Sequence, residues 1–158
     1  MEKLTDKATF AGGCFWGIEA KFRQINGVIS TSVGYTGGTT LNPTYKEVCT
    51  DTTSHAEAVE VTFDPKVITY SSLLDVFWKI HDPTQKNQQG PDIGSQYRSI
   101  IFYHSESQKL EAQVSMKKAQ SLISKKIATE IVKASKFYLA EEYHQRYLEK
   151  RGNNSCHL

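Results

Sequence analysis

The feature that most constrains this fold is a change of hydrophobic period at residues 12–14. The preceding segment KATFAGG, residues 7–13, predicts a short strand that ends at two glycines. The following segment FWGIEAKFRQI has apolar residues at helical spacing, namely Phe15, Ile18, Phe22 and Ile25. A strand that runs directly into a helix is typical of α/β and α+β folds, and it places Cys14 at the helix N-terminus.

Strands and helices continue to alternate along the chain. Further strands are predicted over residues 27–38, where the strand runs into a glycine turn, and over 56–64, 98–104 and 128–134. Further helices are predicted over residues 73–82, 105–123 and 140–152, and a long loop over 83–97. Their expected end signals are Ser71 or Ser72, Ser105 and Gly152. The fold class we expect is therefore α/β (α+β), with a mixed sheet packed against helices.

Length and composition limit the classes of function that this chain can have. The 158 residues fit a single domain, which we expect over residues 1–150, followed by a mobile tail over 151–158. A net charge of +2 gives no strong electrostatic case for binding to nucleic acid or to an acidic membrane surface, and no apolar run approaches the ~20 residues of a membrane helix. The polar N-terminal segment does not read as a secretory signal, so we expect a cytoplasmic monomer.

Cys14 is the strongest candidate for a reactive group. Glycines on its N-terminal side leave the thiol accessible, and a helix N-terminus favours the thiolate. The adjacent rings of Phe15 and Trp16 suit a small apolar group such as a methyl or thioether. The alternative is that Cys14 is simply a small buried residue of the core.

Three polar residues are candidate partners of this thiol. Tyr45 and Tyr97 are hydroxyl donors that we expect in loops or at strand starts. Glu57 begins an otherwise apolar strand, where burial would favour its protonated form and suit it to general acid catalysis. The alternative for Glu57 is an exposed strand end.

Ordered motifs along nearly the whole chain resemble those of the A-type peptide methionine sulfoxide reductases. They are GCFWG at 13–17, GYTGG at 34–38, PTYKEV at 43–48, HAEAVEV at 55–61, HDPT at 81–84, DIGSQYRS at 92–99 and EEYHQRYL at 141–148. Thr36 departs from the family, which more often has alanine there. The resemblance implies a two-layer sandwich with a ferredoxin-like core and a long irregular C-terminal region.

The same resemblance implies reduction of the S epimer of methionine sulfoxide, free or in oxidised proteins, without cofactor or metal. It makes Cys14 the nucleophile, and Phe15 and Trp16 the walls that hold the substrate methyl. It also implies a set of polar residues around the substrate, with the first three at the sulfoxide oxygen: Glu57, Tyr45, Tyr97 and Asp92.

Recycling requires a second thiol, because attack on a sulfoxide leaves a sulfenic acid on the enzyme. The family places recycling cysteines in C-terminal tails, which makes Cys156 the expected resolving residue and thioredoxin the expected reductant of a Cys14–Cys156 disulfide. Cys49 is expected to be buried, or else to resolve if the tail cannot reach. We expect His55 to make a structural hydrogen bond and His144 to pack near the site.

Two other classes of protein compete with this interpretation. A cysteine hydrolase or transferase would use Cys14 as nucleophile and His55 as base, which leaves the aromatic pair and Cys156 without a role. A zinc module would draw on Cys49, His55, Cys156 and His157, but the chain has no metal-type Cys or His spacing. A thioredoxin-like protein is disfavoured because no C-x-x-C motif is present.

Overall fold

The computed structural model describes residues 5–150. The helices of this part are α1 (Phe15–Arg23), α2 (Tyr45–Cys49), α3 (Tyr70–Ile80), α4 (Glu106–Ser121) and α5 (Tyr147–Lys150). The strands are β1 (Asp6–Gly12), β2 (Val28–Thr36), β3 (Ala56–Phe63), β4 (Gln88–Gln89), β5 (Asp92–Ile93), β6 (Ser99–Tyr103), β7 (Glu130–Lys133) and β8 (Tyr138–Leu139).

Six of these strands form one mixed sheet in the order β7-β6-β1-β3-β2-β8. The elements β1, α1, β2, β3, α3 and β6 follow the βαββαβ order of a ferredoxin-like core, with β1 and β3 as adjacent central strands. The long helix α4 then carries the chain back to β7, which pairs with β6 in parallel. The expected fold class, with a mixed sheet and a ferredoxin-like core, is confirmed.

The helices pack on one face of this sheet. Phe10 on β1 stacks on Phe22 of α1 and on Phe77 of α3, with ring centroids 5.1 Å apart in both pairs. Val59 and Val61 of β3 belong to the same buried cluster. The opposite face is covered by a smaller cluster of strand residues packed against residues 132–137, namely Ala11, Ala56, Ala58, Ile100 and Phe102. The molecule therefore has two layers.

The register of β3 directs a carboxyl group into the helix layer. Side chains alternate along a strand, so Glu57 lies on the same face as Val59 and Val61. Glu57 pairs with Tyr35 on β2, and both side chains are buried. The alternative of an exposed strand end for Glu57 is therefore wrong.

Two helix boundaries differ from the sequence prediction. The N-cap of α3 is Thr69, not Ser71 or Ser72, because the Thr69 hydroxyl oxygen accepts the backbone N–H of Ser72 at 3.0 Å. The helix also ends earlier than expected, with His81 already in an extended conformation. The predicted N-cap of α4, Ser105, is confirmed by the bond that its side chain accepts from the Gln108 N–H.

The single closing helix predicted over residues 140–152 is wrong. A 3-10 turn at Glu142–His144 and the short α5 replace it, separated by Arg146 at φ +51°. The backbone N–H of Arg146 donates to the buried carboxylate of Glu19 at 2.6 Å, which stabilises this break. Gly152 lies outside the described residues.

The predicted loop over residues 83–97 has more structure than expected. It contains the β4–β5 hairpin and a 3-10 turn at Ser95–Tyr97. The backbone N–H of Asp82 donates to Gln89 at 2.6 Å, and the Gln89 amide donates back to the Asp82 carbonyl oxygen at 2.8 Å. The hairpin is thus fastened next to the end of α3.

Candidate active site

Cys14 stands at the N-cap of α1, as the sequence predicted. Its carbonyl oxygen accepts the backbone N–H of Ile18 at 3.4 Å, and the residue is half-buried. Gly13 before it adopts φ +111°, and a Cβ there would lie 2.8 Å from Cγ of Gln89. Only glycine fits this backbone without strain, so the strand-to-helix turn that presents the thiol depends on Gly13.

A cavity of about 300 Å³ opens beside the thiol. Its lining includes Cys14 together with Gly17 and Lys21 of α1, and the β4–β5 hairpin contributes Gln89 and Asp92. The structure therefore brings Asp92, predicted from the family motifs, to the same cavity as Cys14.

The carboxyl group of Glu57 lies directly under the start of α1 and is only 1% exposed. Its Oε1 accepts the backbone N–H of Phe15 at 3.3 Å, and its Oε2 accepts the side-chain amide of Gln96 at 3.2 Å. The first bond fixes Glu57 to the residue that follows Cys14, so the thiol and the carboxyl group are held in one arrangement.

Tyr45 and Tyr97 both lie near Glu57. Tyr97 is in the predicted loop just before β6, whereas Tyr45 is in neither a loop nor a strand start. Tyr45 is the first residue of α2, which begins with a capping box between Thr44 and Glu47. Tyr97 ends the 3-10 turn. Burial, and then the charge of Glu57, raise the pKa of each phenol well above its usual value. Both hydroxyls therefore keep their protons at neutral pH and remain hydrogen-bond donors.

The two rings that follow Cys14 have different surroundings. Phe15 is 1% exposed and lies against Tyr45, with ring centroids 6.5 Å apart. Trp16 is half-buried and stacks on Tyr147 with centroids 3.8 Å apart. Its indole N–H donates to Nδ1 of His144 at 2.9 Å. The aromatic cluster around Trp16 is thus completed by His144 and Tyr147, near the end of the described chain. Neither Phe15 nor Trp16 lines the cavity that opens beside Cys14.

Two residues that hold this arrangement were missed at the sequence level. Glu141 accepts the Tyr35 hydroxyl at 2.8 Å and the backbone N–H of Tyr45 at 2.9 Å, so it fixes the start of α2. Gln96 bonds Glu57 from the opposite side. Both lie inside the family-like motifs, but nothing local in the sequence distinguishes an acidic or amide side chain that binds within the core.

Cys49 is exposed, so the expectation that it is buried is wrong. It ends α2, and its sulfur accepts the Gln96 amide at 3.6 Å. The short helix explains the exposure, because Val48 of the same turn takes the core position. Cys49 therefore stands at the edge of the cluster formed by Tyr45, Gln96 and Tyr97.

His55 has the structural role that the sequence favoured. Its Nδ1 accepts the backbone N–H of Gly38 at 3.0 Å, and its Nε2 lies 2.7 Å from the carbonyl oxygen of Thr40. With both ring nitrogens bound to the 36–40 loop, His55 is not placed to act as a base for Cys14 or as a metal ligand. This argues against the hydrolase and the zinc module.

Two remaining predictions concern the chain end. Cys156 and His157 lie outside the described residues.

Across residues 5–150, no three His, Cys, Asp or Glu side chains converge in a group that could hold a metal ion. The same stretch has no helix with the length and apolar character needed to cross a bilayer.

Comparison with known proteins gives one family. A family model for peptide methionine sulfoxide reductase matches residues 6–158. The peptide methionine sulfoxide reductase MsrA of Methanosarcina acetivorans is 61% identical over 149 residues, which cover 93% of this chain and 79% of that protein. The crystal structure of Mxr1 from Saccharomyces cerevisiae in reduced form matches with a TM-score of 0.90 at 42% identity, covering 94% of this chain and 86% of Mxr1.

A structure of Mxr1 in complex with Trx2 also matches, with a TM-score of 0.66 at 30% identity over 90% of this chain and 84% of Mxr1. The motifs from GCFWG to EEYHQRYL are thus part of a likeness that extends through both sequence and fold. The chain belongs to the peptide methionine sulfoxide reductase family, of the A type, and is an oxidoreductase.

Proposed function

We propose that this chain reduces the S epimer of methionine sulfoxide, with Cys14 as the nucleophile and Glu57 as the proton donor. The observation that carries this proposal is the bond from the Phe15 N–H to the buried Glu57 carboxyl group. It supports the proposal because the residue bound by this carboxyl group directly follows Cys14, whose half-buried thiol stands at a helix N-terminus, a setting that favours a thiolate.

The substrate enters with its methyl group against Phe15 and Trp16. Its sulfoxide oxygen then points to Glu57 and to the hydroxyls of Tyr45 and Tyr97. Both phenols are protonated at neutral pH, and a protonated hydroxyl can donate a hydrogen bond to a negatively charged oxygen. Asp92 lines the cavity beside Cys14 and orients the polar part of the substrate.

The reaction transfers one oxygen atom from the sulfoxide sulfur to the sulfur of Cys14. The thiolate forms a bond to the sulfoxide sulfur while Glu57 protonates the oxygen. The oxygen then passes to the sulfur of Cys14 as its bond to the substrate sulfur and the transient S–S bond break, and methionine leaves with the two electrons that Cys14 has lost. Cys14 is oxidised by two electrons to a sulfenic acid. Loss of one oxygen-directed donor from such a site typically lowers the rate on the order of 10²–10³-fold.

Selectivity for one epimer follows from three fixed directions. The methyl must face the rings, the oxygen must face Glu57 and the phenols, and the sulfur must face Cys14. A chiral sulfoxide of the opposite configuration satisfies only two of these at once. The fixed positions of Phe15 and Glu57 relative to each other support this geometry.

Recycling proceeds through a Cys14–Cys156 disulfide. The Cys156 thiol condenses with the sulfenic acid and releases water, and a dithiol then reduces the disulfide by exchange. Thioredoxin is the reductant we propose, supported by the matching structure of Mxr1 in complex with Trx2. Such a cycle suits the reducing cytoplasm, with free methionine sulfoxide and oxidised proteins as substrates.

A stopped assay with separated R and S epimers tests the proposal. Methionine should form from the S epimer in the presence of a dithiol, and the Cys14→Ser variant should form none. Equal turnover of both epimers would contradict the proposed geometry, and turnover by Cys14→Ser would contradict the nucleophile.

A further inference from the structure

His144 is a fully buried histidine for which the proposed mechanism has no use. It ends the 3-10 turn at Glu142–His144 and is 0% exposed. Aromatic rings surround it, with centroid distances of 4.1 Å to Tyr143, 4.3 Å to Tyr45 and 5.3 Å to Phe15. This setting would accept a leucine or a phenylalanine, so the presence of an imidazole needs a reason.

The protonation of this ring follows from its one hydrogen bond. Nδ1 accepts the indole N–H of Trp16 at 2.9 Å, so Nδ1 carries no proton. Burial lowers the pKa of His144, which favours the neutral ring. The single proton of the neutral ring is then on Nε2, as an N–H donor.

That Nε2–H has no hydrogen-bond acceptor among residues 5–150, although it is buried. A buried donor without an acceptor costs stability, and an apolar side chain of similar size would avoid the cost. What the imidazole supplies and an apolar side chain cannot is the acceptor at Nδ1. The bond to Trp16 therefore explains why a histidine rather than an apolar residue occupies this position.

Trp16 is held by two contacts from the C-terminal part of the described chain. Tyr147 stacks on one face of the indole at 3.8 Å and 11° between planes, while His144 binds the N–H at the ring edge. A stacked partner alone lets an indole slide or turn in its own plane. The directional bond to His144 prevents this, so the ring edge stays at a fixed place.

We propose that His144 is a positioning residue that fixes the Trp16 indole and thereby sets how large a group the enzyme accepts on the sulfoxide sulfur. The inference rests on the proposed function only in taking Trp16 as a wall of the methyl pocket. Without the bond to His144, the Trp16 indole can move away and the methyl pocket becomes wider. The substrate methyl group then makes fewer contacts, while a larger alkyl group on the sulfoxide sulfur can be accommodated. Binding and discrimination should change, and the chemical step at Cys14 should not.

A matched pair of variants separates the bond from the packing. His144→Leu fills the same space without an acceptor, whereas His144→Asn can place its Oδ1 where Nδ1 stands. With methionine sulfoxide, His144→Leu should raise KM about tenfold with kcat within about twofold, and the ratio of kcat/KM for methyl over ethyl sulfoxide should fall about tenfold. His144→Asn should restore most of both losses.

A double-mutant cycle asks whether the effect passes through the indole. Trp16→Phe removes the N–H donor, so His144→Leu should add no further loss of discrimination in that background. A loss of the same size in both backgrounds would show that His144 only supports the fold, and would overturn the proposal. Equal behaviour of His144→Leu and wild type would also overturn it.

A measurement without substrate keeps this result separate from the proposed function. The chain has two tryptophans, so a ¹⁵N-labelled sample gives two indole N–H signals, and Trp78→Phe assigns them. The Trp16 indole proton should exchange with solvent about tenfold faster in His144→Leu than in wild type, and near the wild-type rate in His144→Asn. Unchanged exchange in His144→Leu overturns the positioning role even in an active enzyme. Faster exchange in a protein inactive on sulfoxides would instead leave the positioning role standing and reject the proposed reaction.

Discussion

The backbone N–H of Phe15 donates a hydrogen bond to Oε1 of Glu57 at 3.3 Å. This bond links the first turn of α1 to the central strand β3, and Cys14 is the residue immediately before it. Gln96 binds the other oxygen of the same carboxyl group from the 3-10 turn. The thiol and its proposed acid are therefore held by the core of the fold rather than by a mobile loop.

Substitution of Glu57 tests this arrangement. Glu57→Gln keeps the size of the side chain and an acceptor for the Phe15 N–H, but it cannot donate a proton as a carboxylic acid does. Methionine formation in a single turnover should slow on the order of 10²–10³-fold. The rapid-quench assay would use Glu60→Gln as a control, because Glu60 lies on the same strand and pairs with Lys7 instead. A loss below about threefold in Glu57→Gln would remove Glu57 from the chemistry.

Substitutions at two glycines with positive φ compare the cost of a strained backbone alone with the cost of a strained backbone and a steric clash together. At Gly90, with φ +58°, an added Cβ meets nothing within 4 Å, whereas at Gly13, with φ +111°, it comes within 2.8 Å of Gln89. Gly90→Ala should cost about 1 kcal/mol in the free energy of unfolding, and Gly13→Ala about 3 kcal/mol. Urea unfolding measures both, and equal losses would show that the hairpin adjusts freely around the Cys14 turn.

The stability of the fold should depend on pH through His81. Burial is the main cause that lowers the pKa of His81 to about 4, against weaker opposing effects of the Phe77 carbonyl and Asp82. The folded state thus favours the neutral ring, so this stability is complete above pH 6.5 and is lost as pH falls from about 6.5 to about 4. The loss is roughly 3 kcal/mol.

The difference between wild type and His81→Gln isolates that contribution. Unfolding free energies measured at several pH values should converge between the two proteins as the pH is lowered from 7 to 4, because only the wild type loses the contribution of a neutral His81. Parallel curves would assign the acid sensitivity to other groups.

Recycling can be tested separately from the first reduction. Cys156→Ser should form one methionine per enzyme and then stop with thioredoxin as the reductant, because no resolving thiol remains. Cys49→Ser should cycle as the wild type does. The number of methionine molecules formed per enzyme molecule tests the expectation for each variant. If Cys156→Ser cycled continuously and the Cys49→Ser, Cys156→Ser double variant did not, the exposed Cys49 would be the resolving residue.

Local sequence patterns were sufficient where one short segment decides the structure. The change of period around Gly13 predicted both the end of β1 and the position of Cys14 at the start of α1. Ser105 was correctly predicted as an N-cap, because it directly precedes the first residue of the amphipathic helix α4. For α3, several hydroxyl residues compete within four positions, and the pattern could not distinguish Thr69 from Ser72.

Features that depend on distant contacts were beyond local patterns. The C-terminal helix breaks at Arg146 because Glu19, 127 positions earlier, accepts its N–H. In the candidate site, Cys14 and its aromatic neighbours stand at one junction, but Glu57, Tyr45 and Tyr97 come from three other segments. Residue chemistry offered these three as candidate partners of the thiol, and the family resemblance gave each of them a place around one substrate. The roles of Glu141 and His144 in holding Tyr45 and Trp16 emerge only from the packed structure.

The most direct test of the account follows the oxygen atom. The Cys49→Ser, Cys156→Ser double variant, given one equivalent of the S epimer and a sulfenic acid trap, should release one methionine and carry one trapped group, located at Cys14 by peptide mass spectrometry. Methionine released while Cys14 remains a free thiol would contradict direct attack by this residue on the sulfoxide.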